Sequence, residues 1–146
     1  MNSFSFWGLF TSDVVTAIAS IVLVVFSVMS WAIIVEKIRL FHRTKRAHLS
    51  GKPEEAIRPY DKNLWFLSMV AYVSPFIGLF GTVWGVMDSF ASIGANQSVS
   101  IGVIAPGLAI ALGTTALGLI VAIPAAIAHQ IFTKKADDLY EKLGGK

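Results

Sequence analysis

The sequence predicts an all-α membrane protein with three transmembrane helices. Three long stretches contain no charged residue, namely residues 14–35, 64–87 and 99–128. Because a helix rises about 1.5 Å per residue and a bilayer core is roughly 30 Å thick, about 20 apolar residues suffice to span it. Near-continuous apolar runs favour helices over a β-barrel, whose strands alternate in polarity. With 55% hydrophobic residues in 146, the composition predicts a single membrane domain.

The positions of the basic residues predict the orientation in the membrane. All twelve Lys and Arg residues fall in two segments, eight in residues 36–63 and four in residues 129–146. Short loops rich in Lys and Arg stay in the cytoplasm. The N-terminus is therefore predicted to be periplasmic and the C-terminus cytoplasmic. The basic side chains beside the spans are predicted to snorkel towards lipid headgroups, and nothing in the sequence indicates a nucleic-acid partner.

The order of segments follows from these runs and from the breakers between them. The predicted order is a first span over about 14–36, a cytoplasmic hairpin over about 37–63, a second span over about 64–88, a third span over about 99–128 and a cytoplasmic tail helix over about 129–143. Gly51 and Pro53 are predicted to end the helix that extends from the first span. Inside the spans, Pro75, Pro106 and Pro124 each remove a helix hydrogen bond, which predicts kinks.

Small and polar residues fall on one face of the second and third spans. At 100° per residue, Ser74, Gly78, Thr82 and Gly85 share a face of the second helix, opposite bulky apolar residues. On the third helix Ala111, Thr115 and Gly118 share an arc, and Thr114 lies beside it. Such faces commonly pack helices against one another, and they can also line a cavity that holds water, an ion or a further helix. The pattern alone leaves both interpretations open.

The sequence offers few side chains for proton transfer, catalysis or metal binding. The three uncharged stretches contain no Asp, Glu, Lys, Arg or His, so the spans supply no titratable proton carrier, and proton movement would need an acid from another subunit. No nucleophile, base and orienting group occur together, so an enzyme is not expected. No cofactor is expected, and His42, His48 and His129 lack metal-ligand spacing.

Two blocks of sequence resemble a known family. Residues 74–90, SPFIGLFGTVWGVMDSF, and residues 104–129, IAPGLAIALGTTALGLIVAIPAAIAH, are similar to the MotA/TolQ/ExbB proton-channel family. The segments FWGLF near the N-terminus and SWAIIVEK at residues 30–37 favour its TolQ-like branch. The likeness covers nearly the whole chain.

The resemblance implies a pentameric ring in the bacterial inner membrane that encloses helices of a TolR- or ExbD-like partner. That single-span partner would supply a membrane Asp, and proton motive force would drive work on a TolA- or TonB-like protein, supporting outer-membrane integrity and division. Thr82 and Thr115 match the pore threonines of the family. The other candidates for facing the pore and the partner helix are Thr114, Gly78, Gly85, Ser74, Ala111 and Gly118.

Two departures from the family pattern keep a second function open. Ile110 stands where the family commonly has Glu, and the cytoplasmic link is shorter than is typical. The alternative is a structural membrane scaffold of the same fold that conducts nothing. A substrate transporter is disfavoured, because no inverted pair of broken helices is evident.

Overall fold

The computed structural model describes residues 14–44, 61–96 and 101–142. Over these residues the chain forms three α-helices, which are α1 (Val14–Thr44), α2 (Leu64–Asn96) and α3 (Ile101–Lys142). Each contains a segment long and apolar enough to cross a membrane, namely Val14–Phe41, Leu64–Ser92 and Ile104–Lys142. The predicted all-helical fold with three candidate spans is therefore confirmed. The orientation of the termini and the extension of helices into the cytoplasm stay predictions.

The second helix begins at a residue with unusual backbone geometry. Asn63 has a φ of 66°, a left-handed conformation that Asn adopts more readily than most residues. Its carbonyl accepts a hydrogen bond from the Phe66 N–H at 3.2 Å. This turn starts α2 at Leu64. Gly51 and Pro53, predicted to end the preceding helix, lie outside the described residues, as do the start of the third span at residue 99 and the end of the tail at residue 143.

The third helix runs without interruption from the third span into the tail-helix segment predicted over about 129–143, and it is described as far as Lys142. It extends over Ile101–Lys142, with Pro106 and Pro124 inside it. Pro75 likewise lies inside α2. Helices tolerate proline where neighbouring groups satisfy the freed carbonyl, so all three prolines are compatible with continuous helices. The kinks expected at them stay predictions.

The helices pack unequally. The contact between α2 and α3 is by far the most extensive, and α1 packs less closely against both. The apolar core combines residues from all three helices, including Leu23, Ile34, Leu67, Val121 and Phe132. Two aromatic pairs support it. Phe26 and Phe66 meet edge to face at 6.1 Å, and Phe41 and Phe132 stack at 5.9 Å.

Bulky apolar side chains cover the outside of the described helices. The faces predicted to lie opposite the small residues are exposed, with Phe76, Phe80, Val83 and Met87 on α2 and Leu112, Leu119, Ile123 and Ile127 on α3. In water such a surface would aggregate, whereas in a bilayer it meets acyl chains or a neighbouring protein. The distribution is that of a membrane protein.

Lys37 is an exception among the basic residues beside the spans. The sequence predicts that it snorkels towards headgroups, but only 1% of its surface is exposed, so that prediction is wrong for this residue. It lies three residues after Ile34 and seven after Ser30, which are both buried. The helical period therefore places Lys37 on the face of α1 that packs inward.

Candidate functional site

The small faces of α2 and α3 pack directly against each other, and glycines bring the two backbones together. A methyl group placed on Gly78 would lie 2.7 Å from the Thr114 carbonyl oxygen and 3.2 Å from the Gly118 Cα. One placed on Gly118 would lie 2.6 Å from the Ser74 carbonyl oxygen and 3.1 Å from the Gly78 Cα. These distances are too short for any side chain larger than hydrogen. Glycine is therefore required at both positions for this approach.

The same contact continues along both helices. A methyl group on Gly81 would meet the Thr114 Oγ1 at 2.7 Å, and one on Gly85 would meet the Ala111 Cβ at 2.8 Å. Both glycines thus leave room for a side chain of α3. The interface is a line of small residues along which successive turns of the two helices interlock, as in small-residue packing between membrane helices.

Three threonines form a hydrogen-bond network that runs from the buried part of this interface to its edge. Thr114 is fully buried, and its hydroxyl lies 2.7 Å from the Ala111 carbonyl and 3.1 Å from the Gly78 carbonyl. The Thr82 hydroxyl donates across the interface to the Ala111 carbonyl at 2.9 Å. The Thr115 hydroxyl donates to the Gly78 carbonyl at 3.2 Å, and the Thr82 and Thr115 hydroxyls are hydrogen-bonded to each other. The network thus joins both helices through side chains and backbone.

The Thr82–Thr115 pair can hold its protons in two orders. Each hydroxyl donates one proton and accepts through its lone pairs. In the first order Thr115 donates to Thr82, which donates to the Ala111 carbonyl. In the second order Thr82 donates to Thr115, which donates to the Gly78 carbonyl. Both orders satisfy both hydroxyls, so the pair can reverse its direction without either threonine gaining or losing charge.

The predicted site residues divide into two groups by burial. Buried between the helices are Ser74, Gly78, Ala111, Thr114 and Gly118. Half-buried at the edge of the interface are Thr82, Gly85 and Thr115. Among the predicted site residues, those at this edge offer surface to another molecule, and they include the hydroxyl pair. That these residues face a pore or a partner helix stays a prediction.

Two features of this interface differ from the sequence pattern. The pattern predicts Thr114 beside the small arc of α3, yet it is the most deeply buried of the three threonines. Gly107 also belongs to the interface, because a methyl group on it would meet the Ser89 Oγ at 2.5 Å. Gly81 and Gly85 have the GxxxG spacing of closely packed membrane helices, whereas Gly107 has no glycine four residues away, so the sequence carries no comparable signal for it.

These features together define a multi-pass membrane protein in which a network of threonine hydroxyls joins α2 and α3. A sequence profile of the MotA/TolQ/ExbB proton channel family matches residues 41–144, well over half of the chain. The chain belongs to this family, which confirms the resemblance inferred from residues 74–90 and 104–129.

Individual relatives include both named branches. The biopolymer transport protein ExbB of Salmonella typhimurium is 46% identical over 79 residues, which cover 54% of this chain and 32% of the relative. The Tol-Pal system protein TolQ of Pseudomonas aeruginosa is 41% identical over 97 residues, or 66% of this chain and 40% of the relative. The ExbB protein of Pseudomonas putida is 48% identical over 68 residues, or 47% and 21%. The chain thus spans less than half the length of these curated relatives.

Proposed function

We propose that this protein is the channel subunit of an energy-transducing complex in the bacterial inner membrane. In this proposal several copies form a ring, pentameric by resemblance, around the helices of a TolR- or ExbD-like single-span protein that carries a membrane Asp. Proton motive force then drives work across the periplasm. The Tol-Pal type is favoured by the TolQ-like segments, with force delivered to a TolA-like protein in support of outer-membrane integrity and division.

The observation that carries the proposal is the reversible hydroxyl pair at an accessible edge of uncharged spans. A carboxyl group on a neighbouring helix can donate to the pair when protonated and accept from it when ionised. The terminal donor of the pair, which is Thr82 in one order and Thr115 in the other, can turn from its carbonyl to an ionised carboxylate, and either hydroxyl oxygen can accept from a protonated one. A site of this kind can accompany proton movement without titrating, and it needs the partner for the charge itself.

Proton flux in vesicles tests this proposal. Vesicles that contain the protein together with a partner bearing a membrane Asp should conduct, and those with the partner's Asp changed to Asn should not. Thr82→Val with Thr115→Val, which keeps the side-chain shape but removes both hydroxyls, should assemble and lose most of the flux. Serine at both positions is the matched control and should retain more. Full flux in the double valine variant would refute the role of the pair.

The orientation is tested separately. The chain contains no cysteine, so single cysteines report without background. A cysteine at Ser3 or Asn96 should react with an impermeant thiol reagent from the periplasm, and one at Ser50 or Leu143 should not. The reverse labelling would overturn the proposed topology.

A non-conducting scaffold of the same fold is the second candidate. Ile110, which is half-buried on α3, favours it because the family commonly has Glu at this position. A scaffold would assemble with its partner but pass no protons in the vesicle assay. Restored flux in Ile110→Glu would show that this one side chain separates the two functions.

A further inference from the structure

A cavity lies between the basic ends of α1 and α3, outside the α2–α3 interface. Its volume is about 400 Å³, within the range of small-molecule sites. The floor includes Phe41, Phe132 and Leu139, and the rim carries Lys135, Asp138 and Lys142. An apolar floor with a charged rim fits an amphiphilic ligand better than a purely apolar or purely ionic one.

Aromatic contacts hold the floor and one rim lysine in place. The Phe41 and Phe132 rings stack with centroids 5.9 Å apart and planes inclined by 9°. The Lys135 Nζ lies 5.1 Å from the centroid of the Phe41 ring, within the range of a cation–π interaction. Because the ring engages one side of the ammonium group, its remaining N–H bonds can donate to a ligand. The cavity therefore presents an ordered cation above an apolar surface.

The rim charges favour an anion with a single negative charge. Lys135, Asp138 and Lys142 are spaced by three and four residues, which places them on one face of α3. Two ammonium groups and one carboxylate leave one net positive charge. A phosphodiester neutralises this charge, whereas a zwitterionic headgroup leaves it uncompensated.

Of the charged rim residues, Lys135 is the one within reach of lipid headgroups. The third uncharged stretch ends at Ala128, and Lys135 follows seven residues later. At about 1.5 Å per residue this places the Lys135 backbone roughly 10 Å beyond that end. The headgroup layer adds about 5 to 8 Å to each side of the hydrocarbon core, and a lysine side chain can extend back along the helix to reach it.

We propose that this cavity binds the headgroup of an anionic phospholipid. The phosphate lies against the Lys135 ammonium group, and the first acyl carbons lie over the Phe41–Phe132 stack. The binding requires neither proton conduction nor a partner helix. Only its assignment to the inner leaflet depends on the orientation proposed above.

Native mass spectrometry of the full chain in mild detergent tests the proposal. Offered phosphatidylglycerol and phosphatidylethanolamine at equal concentration, the protein should retain the anionic lipid roughly five-fold better, as expected for one net charge near a membrane surface. Lys135→Gln should abolish this preference. Lys134→Gln removes the same charge from the neighbouring position, which does not line the cavity, and should preserve the preference.

Four results would overturn the proposal. Equal retention of both lipids by the wild-type protein would exclude an anion-selective site, and an equal loss in the Lys134 and Lys135 variants would indicate diffuse surface attraction. Displacement of the lipid by soluble glycerol phosphate would indicate a site for free phosphate. Circular dichroism of each variant shows whether the helices persist, so misfolding is distinguished from a lost site. If a Leu139→Cys variant cross-links to a second copy and retains no lipid, the cavity belongs to a protein contact instead.

Discussion

This protein has two packing seams, the α2–α3 interface and the apolar core that includes α1, and they are formed by different chemical groups. Between α2 and α3, Gly78 and Gly118 bring backbone against backbone, and threonine hydroxyls bond across the contact. The core that includes α1 is built from large side chains such as Leu23 and Leu67, both fully buried. The first seam fixes the position of each helix through atoms that cannot move aside. The second holds helices apart by side chains, which can adopt other rotamers.

Under the proposed function, this difference separates the interface that carries the proton chemistry from the core that supports it. The family's pore threonines, as matched by resemblance, lie in the seam with the least freedom to adjust. A proton site needs its donors and acceptors held in fixed geometry, and backbone contact supplies that geometry. We therefore expect substitutions in the two seams to differ in size and in kind, and unfolding in detergent mixtures can compare them.

The largest effect is expected at the glycine contact. Gly118→Leu would force a side chain against the Ser74 backbone, where even a methyl group lies 2.6 Å from the carbonyl oxygen. The free energy of unfolding should fall by at least about 3 kcal/mol, the upper part of the range for overpacking. Ala116→Leu adds similar bulk at an exposed position two residues earlier on α3 and should cost little. Equal stability of the two variants would contradict the close contact of α2 and α3.

The second-largest loss of stability is expected in the apolar core that includes α1. Leu67→Ala removes a fully buried side chain from the core and should lower the free energy of unfolding by about 2 to 3 kcal/mol. The exposed Leu79→Ala on the same helix should change it by much less. Because Leu67 lies outside the hydroxyl network, folded Leu67→Ala protein should keep its proton flux. Loss of flux without loss of folding would show that both seams serve the chemistry.

A smaller effect is expected from the buried threonine. Thr114→Val removes a hydroxyl that bonds to two carbonyls while it keeps the shape that packs against Gly81. We expect a loss of about 1 kcal/mol, in line with hydrogen bonds between membrane helices. Thr114→Ser keeps the hydroxyl but loses a methyl group, and it separates hydrogen bonding from packing. A valine variant as stable as the wild type would assign Thr114 to packing alone.

The smallest effect on stability is expected at the edge. In Thr82→Val, Thr115 still donates to the Gly78 carbonyl, so the unfolding free energy should change by only about 0.5 kcal/mol. Proton flux should nevertheless fall, since one hydroxyl alone cannot reverse a donor order. Strong destabilisation of the Thr82→Val variant would contradict this expectation and would show that Thr82, like Thr114, has a structural role.

The sequence alone predicts the number of helices and separates their small faces from their bulky faces. Uncharged length predicts a span, and the helical period separates Gly78 from Phe76 and Phe80 without knowledge of neighbours. It did not decide which surface the small faces meet. Periodicity describes one helix at a time, whereas the pairing of α2 with α3 depends on how the two helices cross.

The same limitation explains the errors at individual residues. Thr114 and Thr115 differ by 100° around the helix, and the crossing of α2 decides which of them lies at the centre of the contact. For Lys37, composition suggests a solvated charge at the membrane boundary. Its burial follows from the position of α1 against its neighbours, which a single-helix pattern does not contain.

The Gly78 carbonyl has a mechanical consequence. Hydroxyls from both helices lie within hydrogen-bonding distance of this one oxygen, and the glycines on either side leave no clearance. Sliding α3 along α2 by one helical turn, about 5.4 Å, would break these bonds and drive side chains into backbone. We therefore expect α2 and α3 to move as one rigid unit. In the proposed complex, any relative movement would therefore occur outside this helix pair, either at α1 or between neighbouring molecules.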